Sequence, residues 1–209
     1  YASYDTRPLA RDILNMLQRE PRFAALSPKF ALLLDGGERL AVLDHSHDIW
    51  LSAMPSEGTH TWLAFGLAGR PSTEQACATG AARDADVPAL VRALIDTFLD
   101  LAGPQETHMR ETLMRCGVGA FMNRLHEHLA CPIRGDNDPA VSAWRRSPAD
   151  PNLRFGAHAQ CTRGLWHVGA QPVLGRIDPT TLRGLARLAQ DYGDGTLRMT
   201  PWQSVLLPD

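Results

Sequence analysis

The stretch 165–207 constrains this chain more than any other, because it reads as a complete strand–helix–strand unit. Residues 165–174 are apolar, with His167, Gly169 and Gln171 interleaved. Asp178-Pro179 then opens a helix, with Asp as the N-cap and Pro at the first helical position, where a missing N–H costs nothing. Leu182, Leu185, Ala186, Leu188, Ala189 and Tyr192 recur at helical spacing and form one apolar stripe. Gly193-Asp194-Gly195 stops the helix. In the strand that follows, Leu197 and Met199 point one way, Arg198 and Thr200 the other. A cation and a hydroxyl therefore share a strand face, beside a Pro-fixed bend carrying Trp202 and Gln203. That arrangement suits an anionic, flat, partly apolar ligand; the plainer reading is an ordinary strand with a solvated face.

Around this unit, 209 residues leave room for one large domain or two small ones with ample core. A composition 44% hydrophobic and 21% charged is that of a soluble globular protein. The net charge of −2 provides no electrostatic footprint for nucleic acid or a membrane surface, and no apolar run approaches a membrane span. Cys77, Cys116, Cys131 and Cys161 have no short spacing, so neither a zinc site nor a disulfide framework is expected and the setting reads as cytoplasmic. The chain opens at Tyr1 without Met and stops at Asp209 directly after an apolar strand. Both ends read as cut, and an exposed strand edge at Leu206-Leu207 is expected to promote self-association.

Taken in order, Thr6 caps a helix whose stripe is Leu9, Ile13, Leu14 and Leu17 and which ends at Glu20-Pro21. Residues 27–37 read as a buried strand ending at Asp35-Gly36-Gly37, with 40–43 closing a hairpin onto it. Residues 49–53 and 61–67 read as further strands. Helices follow over 85–101 and 107–129, the second weakened in its middle by Gly117 and Gly119. The Pro-, Gly- and Asp-rich stretch 131–152 is an irregular connection. The division expected is 1–130, a linker 131–152, and 153–209, the last opening with a strand over 153–159.

Several clusters invite chemistry that their context does not support. His45-Ser46-His47 sits in a turn with Asp44 and Asp48 beside it, and no third ligand has matching spacing. His126 and His128 stand two apart on a helix and face different directions. Gly36-Gly37 is too short for a phosphate loop. What remains is Lys29, the single lysine among 21 basic residues, together with Arg198, Thr200 and Gln203 on the later strand and Arg163 and Arg176 beside its partner. These groups would converge on one anionic ligand if the two parts of the chain pack together.

On these residues a family resemblance can be stated. Gly193-Asp194-Gly195-Thr196-Leu197-Arg198-Met199-Thr200-Pro201-Trp202-Gln203 resembles the Gly-x-Gly-x-Leu-Arg-x-Thr-Pro-Arg-Gln segment that closes a ferredoxin-like half-domain in nitrite and sulfite reductases. Leu26-Ser27-Pro28-Lys29-Phe30 resembles their Leu-Pro-x-Lys-Phe-Lys segment. The resemblance implies an α+β fold: the end of a first, cluster-free reductase-like module, followed by the half-domain of a second copy. Two departures stand out. Trp202 replaces an anion-binding Arg, and Ala31 replaces a second Lys. Thr200-Pro201-Trp202 and the Asp-Gly-Gly turn look most like precorrin-3B synthase, which implies oxygen-dependent hydroxylation and lactonisation of precorrin-3A in cobalamin biosynthesis. A siroheme-dependent nitrite or sulfite reductase and a non-catalytic tetrapyrrole-binding module are the alternatives.

The resemblance further implies a four-iron four-sulfur cluster and an iron for the whole protein, none of it held by this chain alone, which should then not turn over by itself. Expected partners are an anionic tetrapyrrole, the missing halves of the same protein and an electron donor. A flat macrocycle fringed by carboxylates needs apolar walls and several cationic forks. In that reading Arg198 holds one carboxylate, Lys29 holds another or polarises bound oxygen, and Trp202 covers the ring face, with Thr200, Gln203, Arg163 and Arg176 completing the substrate contacts.

Overall fold

The structure is a computed structural model and describes residues 4–55, 60–71 and 78–209; Cys77 lies outside them. The chain forms two compact units, the larger from residues 4–37 and Leu43–Pro148 and the smaller from Glu38–Val42 and Ala149–Asp209. Among the described residues no helix is long and apolar enough to cross a membrane.

The larger unit is a five-stranded sheet in the order β1 (Leu32–Asp35), β2 (His47–Ala53), β3 (Trp62–Gly69), β4 (Gly80–Arg83), β5 (Arg134–Gly135). Both sheet faces are covered, which is why β2 is buried along nearly its whole length rather than alternating. Ile49, Leu51, Leu63 and Phe65 pack beneath Leu90, Leu94 and Phe98 of α2 (Val87–Leu101) and Phe121 and Leu125 of α3 (Met109–His128). α1 (Arg7–Arg19) adds Leu9 and Ile13 to this core. On the opposite face Trp50 stacks on Trp144, ring centroids 5.8 Å apart, just beyond the short α4 (Pro139–Ala143). A side chain at Gly66 would run into the Trp50 ring, its Cβ only 2.1 Å away, so glycine is required there.

Several expectations need correction. Residues 40–43 form no hairpin with the preceding strand: β1 pairs parallel to β2, Leu32 opposite Ile49, and Glu38–Val42 joins the smaller unit. The cause lies at Asp35, which is 2% exposed, receives Nε of Arg146 at 2.7 Å and the Ser52 hydroxyl, and ends the strand before the left-handed Gly37. Residues 27–31 are not strand either. With no N–H on Pro28, the Ser27 hydroxyl and carbonyl take the N–H groups of Lys29 and Phe30 at 3.2 and 2.9 Å and bend the chain into a turn. Leu14 lies off the buried stripe, 57% exposed. The stretch 131–152 carries β5 and α4, and Val141 is fully buried.

The smaller unit is a four-stranded sheet ordered β6 (Gly156–Ala159), β7 (Trp166–Ala170), β9 (Val205–Pro208), β8 (Arg198–Met199), with α5 (Pro179–Tyr192) joining β7 to β8. Asp178 caps α5 as its sequence implies, its carboxylate accepting the N–H groups of Thr180 and Thr181 at 2.8 and 3.0 Å. The stripe on α5 is largely open: Ala189 is buried, while Leu182, Leu188 and Tyr192 are exposed. Leu206-Leu207 is not an edge, because β9 is paired on both sides.

α3 breaks where its glycines predict. Gly117 has φ 80° and ψ 153°, a region open essentially to glycine alone, and a Cβ there would meet nothing within 4 Å. Gly117→Ala should therefore cost about 1–3 kcal/mol from backbone strain alone, read from urea unfolding. Ahead of the break, Arg115 and the Gly103 N–H hold the Glu106 carboxyl at about 2, below its ordinary 4.5. Its stabilising effect is complete above pH 4.5 and is lost as pH falls toward 2, so Glu106→Gln should flatten the acid limb of the stability profile in that window.

Candidate functional site

One cavity in each unit is of interest. In the larger unit the turn carrying Lys29, the start of β2, the end of β3 and the first turn of α3 enclose about 380 Å³. Lys29, Arg110, His47 and His108 contribute cations or ring nitrogens, and Asp48 is the single carboxylate in the wall. Asp48 is committed to holding the structure. Its carboxylate accepts the Ala31 N–H at 2.8 Å and the Met109 N–H at 2.7 Å, and His108 Nδ1 stands 3.2 Å away. Three elements meet on that side chain, which is 5% exposed.

Nearby, Glu111 accepts the N–H groups of Thr107 and His108 at 2.7 and 3.0 Å and fixes the start of α3. Burial pushes the His47 ring below its ordinary value, which favours the neutral imidazole, and its Nδ1 has no hydrogen-bond partner among the described residues. β3 leaves the sheet through Ala68 at φ 53° and Gly69 at φ 100°, both in the cavity wall. A left-handed alanine is uncommon and marks a place where the chain is held against its preference.

The second cavity encloses about 300 Å³ between Glu38–Val42 and the sheet of the smaller unit. Arg198, Thr200 and Trp202 line it together, with His167, Gln160 and Arg39. Thr200 and Ser204 close the bend by a hydroxyl–hydroxyl contact of 2.6 Å, and Thr200 N donates to Ser204 O at 2.9 Å. That bend forces Gln203 to φ 62°. The Trp202 ring is covered on one side by Arg154, 3.8 Å from guanidinium carbon to ring centroid. Arg198 meets Asp194 at 3.6 Å.

The expected residues are described unit by unit. Lys29 is exposed and lines the first cavity; Arg198, Thr200 and Trp202 line the second. Gln203 packs toward Gly175, and Arg163 and Arg176 are exposed and line neither. Sequence reasoning missed Asp48, His108 and Arg110 as companions of Lys29. The one available signal was an aspartate directly ahead of the apolar run Ile49-Trp50-Leu51, where a carboxylate must either be solvated or hold donors.

Comparison with known proteins identifies the lineage. Residues 1–133 match the nitrite and sulphite reductase 4Fe-4S domain, and residues 158–209 match the nitrite/sulfite reductase ferredoxin-like half domain. The chain belongs to the nitrite/sulfite reductase family. It is 29% identical to the chloroplastic ferredoxin–nitrite reductase of Arabidopsis thaliana, over 98% of this chain and 36% of that protein. With the ferredoxin–nitrite reductase of Synechococcus elongatus it shares 26% identity, over 98% of this chain and 41% of the relative. Sulfite reductase [ferredoxin] 1 of Mycolicibacterium paratuberculosis is 21% identical over 98% of this chain. In fold it is similar to the NirA protein of Mycobacterium tuberculosis, TM-score 0.68 at 20% identity, over 95% of this chain and 36% of that one. Against these three relatives the chain spans 36 to 41% of their length.

The named cluster domain raises a question of fit. Among the described residues no group of three or more His, Cys, Asp or Glu is placed to hold a metal. Cys116 lies within α3, Cys131 just after it and Cys161 in the smaller unit. These donors do not fit a four-iron cluster. The Lys29 cavity does suit a carboxylate or other oxyanion, since Lys29 and Arg110 outnumber the one carboxylate in its described wall.

Asp48→Ala should strip the partner from two buried N–H groups at once, where a bond to a charged acceptor contributes about 1.5–3 kcal/mol. The expected loss in urea unfolding is about 3 kcal/mol or more, with Asp48→Asn recovering part of it.

Proposed function

We propose that this chain is the central part of an electron-transferring reductase of its family, acting on nitrite or sulfite. Its larger unit supplies the cationic wall that holds a carboxylate-fringed tetrapyrrole or the oxyanion substrate. The observation that carries this reading is the Lys29 cavity: Lys29 and Arg110 line a space with one carboxylate among the described residues, Asp48, which accepts the Ala31 and Met109 N–H groups. Such a wall binds anions by charge-assisted hydrogen bonds. Lys29 offers a mobile point charge and Arg110 a planar fork, which suits carboxylates at the rim of a ring. A siroheme bound there would supply the redox-active iron. The chain's own residues bind and orient, and His47, kept neutral by burial, adds a ring nitrogen to the wall.

A second reading, hydroxylation and lactonisation of precorrin-3A to precorrin-3B with oxygen, is favoured by Ala31. It lines this cavity where the reductases carry a second lysine, so the wall holds less positive charge for a small oxyanion. Trp202 in place of an arginine argues in the same direction. In either reading an electron donor and the rest of the protein are partners.

The experiment is a titration of siroheme into the full chain, followed by its visible spectrum. Lys29→Ala and Arg110→Ala should each weaken binding about tenfold at low salt, with smaller effects at high salt. Equal affinity in both variants would overturn the role of this cavity. For the whole protein, donor-dependent reduction of nitrite or sulfite decides for the first reading and oxygen-dependent turnover of precorrin-3A for the second.

A further inference from the structure

We propose that the smaller unit carries a two-histidine site for a late first-row divalent transition metal, formed by His158 and His167 where β6 pairs with β7. The inference goes beyond the reductase reading and does not rest on it. His158 and His167 are directly opposite one another in the antiparallel register of the two strands, and their ring centroids lie 5.5 Å apart. Side chains opposed in this way stand on one face of a sheet. A tetrahedral ion about 2.1 Å from one nitrogen of each ring would hold two imidazole centres about 5 Å apart, close to the separation found.

Each ring is also set up to ligate. The His158 Nε2 stands 2.6 Å from the Phe155 carbonyl, and the His167 Nε2 stands 2.9 Å from the Leu153 carbonyl. A carbonyl only accepts, so in both rings Nε2 carries the hydrogen and Nδ1 keeps its lone pair. Neither Nδ1 has a hydrogen-bond partner among the described residues. An imidazole whose other N–H is held by a backbone carbonyl is the arrangement that orients metal-binding histidines. Both side chains are half-buried rather than sealed in the core, which leaves them open to an ion from solvent.

The donor set selects the metal. Two neutral nitrogens with no carboxylate suit Zn²⁺, Ni²⁺ or Cu²⁺ and give little hold on Mg²⁺ or Ca²⁺, which take oxygen ligands. Among the described residues no third His, Cys, Asp or Glu joins the pair, so water completes the shell. The ion would tie β6, an edge strand joined to the sheet through β7 alone, to its neighbour. A metal bound only by the folded unit raises that unit's stability.

The probe is Zn²⁺ alone, titrated calorimetrically into the full chain, with the imidazole nitrogens followed by nitrogen-15 NMR. Saturable binding is expected, with the Nδ1 resonances of His158 and His167 displaced, their Nε2–H groups retained and the urea unfolding midpoint raised. His158→Phe and His167→Phe, which keep a flat ring and delete the ligand, should each weaken binding about tenfold or more. Cu²⁺ should bind more tightly than Zn²⁺, and Mg²⁺ should leave both rings unmoved. The chain has eight histidines and four cysteines, so His45→Ala, His126→Ala and Cys161→Ser are the controls and should bind as the wild type does. If either phenylalanine variant fails to fold by circular dichroism, the wild-type ring resonances and the other variant decide the matter. Unmoved Nδ1 resonances, equal affinity in a folded phenylalanine variant, or loss of binding in a control would each overturn the proposal.

Discussion

A single buried carboxylate organises the larger unit. Asp48 sits near the start of β2, and its two oxygens take the N–H that begins the approach to β1 and the N–H that opens α3. Both backbone groups would otherwise be unmet donors in the protein interior, where an unpaired group is expensive. One side chain therefore fixes the turn bearing Lys29, the mouth of the sheet and the first turn of the helix bearing Arg110. It also enters the electrostatics as the one negative charge in the described wall, against Lys29 and Arg110. The positive character of that cavity is local, Lys29 and Arg110 against one carboxylate; the chain as a whole is slightly acidic.

How much of this could be read from residues alone varies with the range of the interaction. α5 was legible because its signals are local: an Asp cap, a Pro at the first position and a glycine stop. The break in α3 was legible for the same reason, since Gly117 adopts a conformation that side chains disfavour. β1 was misjudged because its fate depends on Asp35 meeting Ser52 and Arg146, the latter 111 positions away, and no periodicity records such a pairing. The parallel register of β1 with β2 follows from that same event, since the chain departs at Glu38 instead of turning back.

The candidate site divides along the same line. Arg198 and Thr200 were placed on one strand face by alternation, a local rule, and they share a cavity. Lys29 stood out by its rarity, but its companions His108 and Arg110 are about eighty residues further along the chain and reach it only through tertiary structure. Lys29 lines a cavity of the larger unit and Arg198 one of the smaller unit.

The Asp35–Arg146 pair shows why the five residues after it matter. A buried ion pair is weak evidence for stability, because desolvating both charges offsets much of their attraction. This one is doubly hydrogen-bonded, at 2.7 and 3.2 Å, with the arginine side chain 10% and the aspartate 1% exposed, which is the geometry in which the attraction best compensates that loss. Its consequence is directional. By stopping β1 at Asp35 it commits the chain to leave the sheet through Gly36 and Gly37, and the next residues, Glu38–Val42, become one wall of the cavity that also holds Arg198. The departure from the hairpin expected by sequence pattern is thus the same structural fact as the existence of that cavity: had 40–43 paired back onto β1, Leu40 and Val42 would be strand residues of the larger unit, and the sheet of the smaller one would lose that wall.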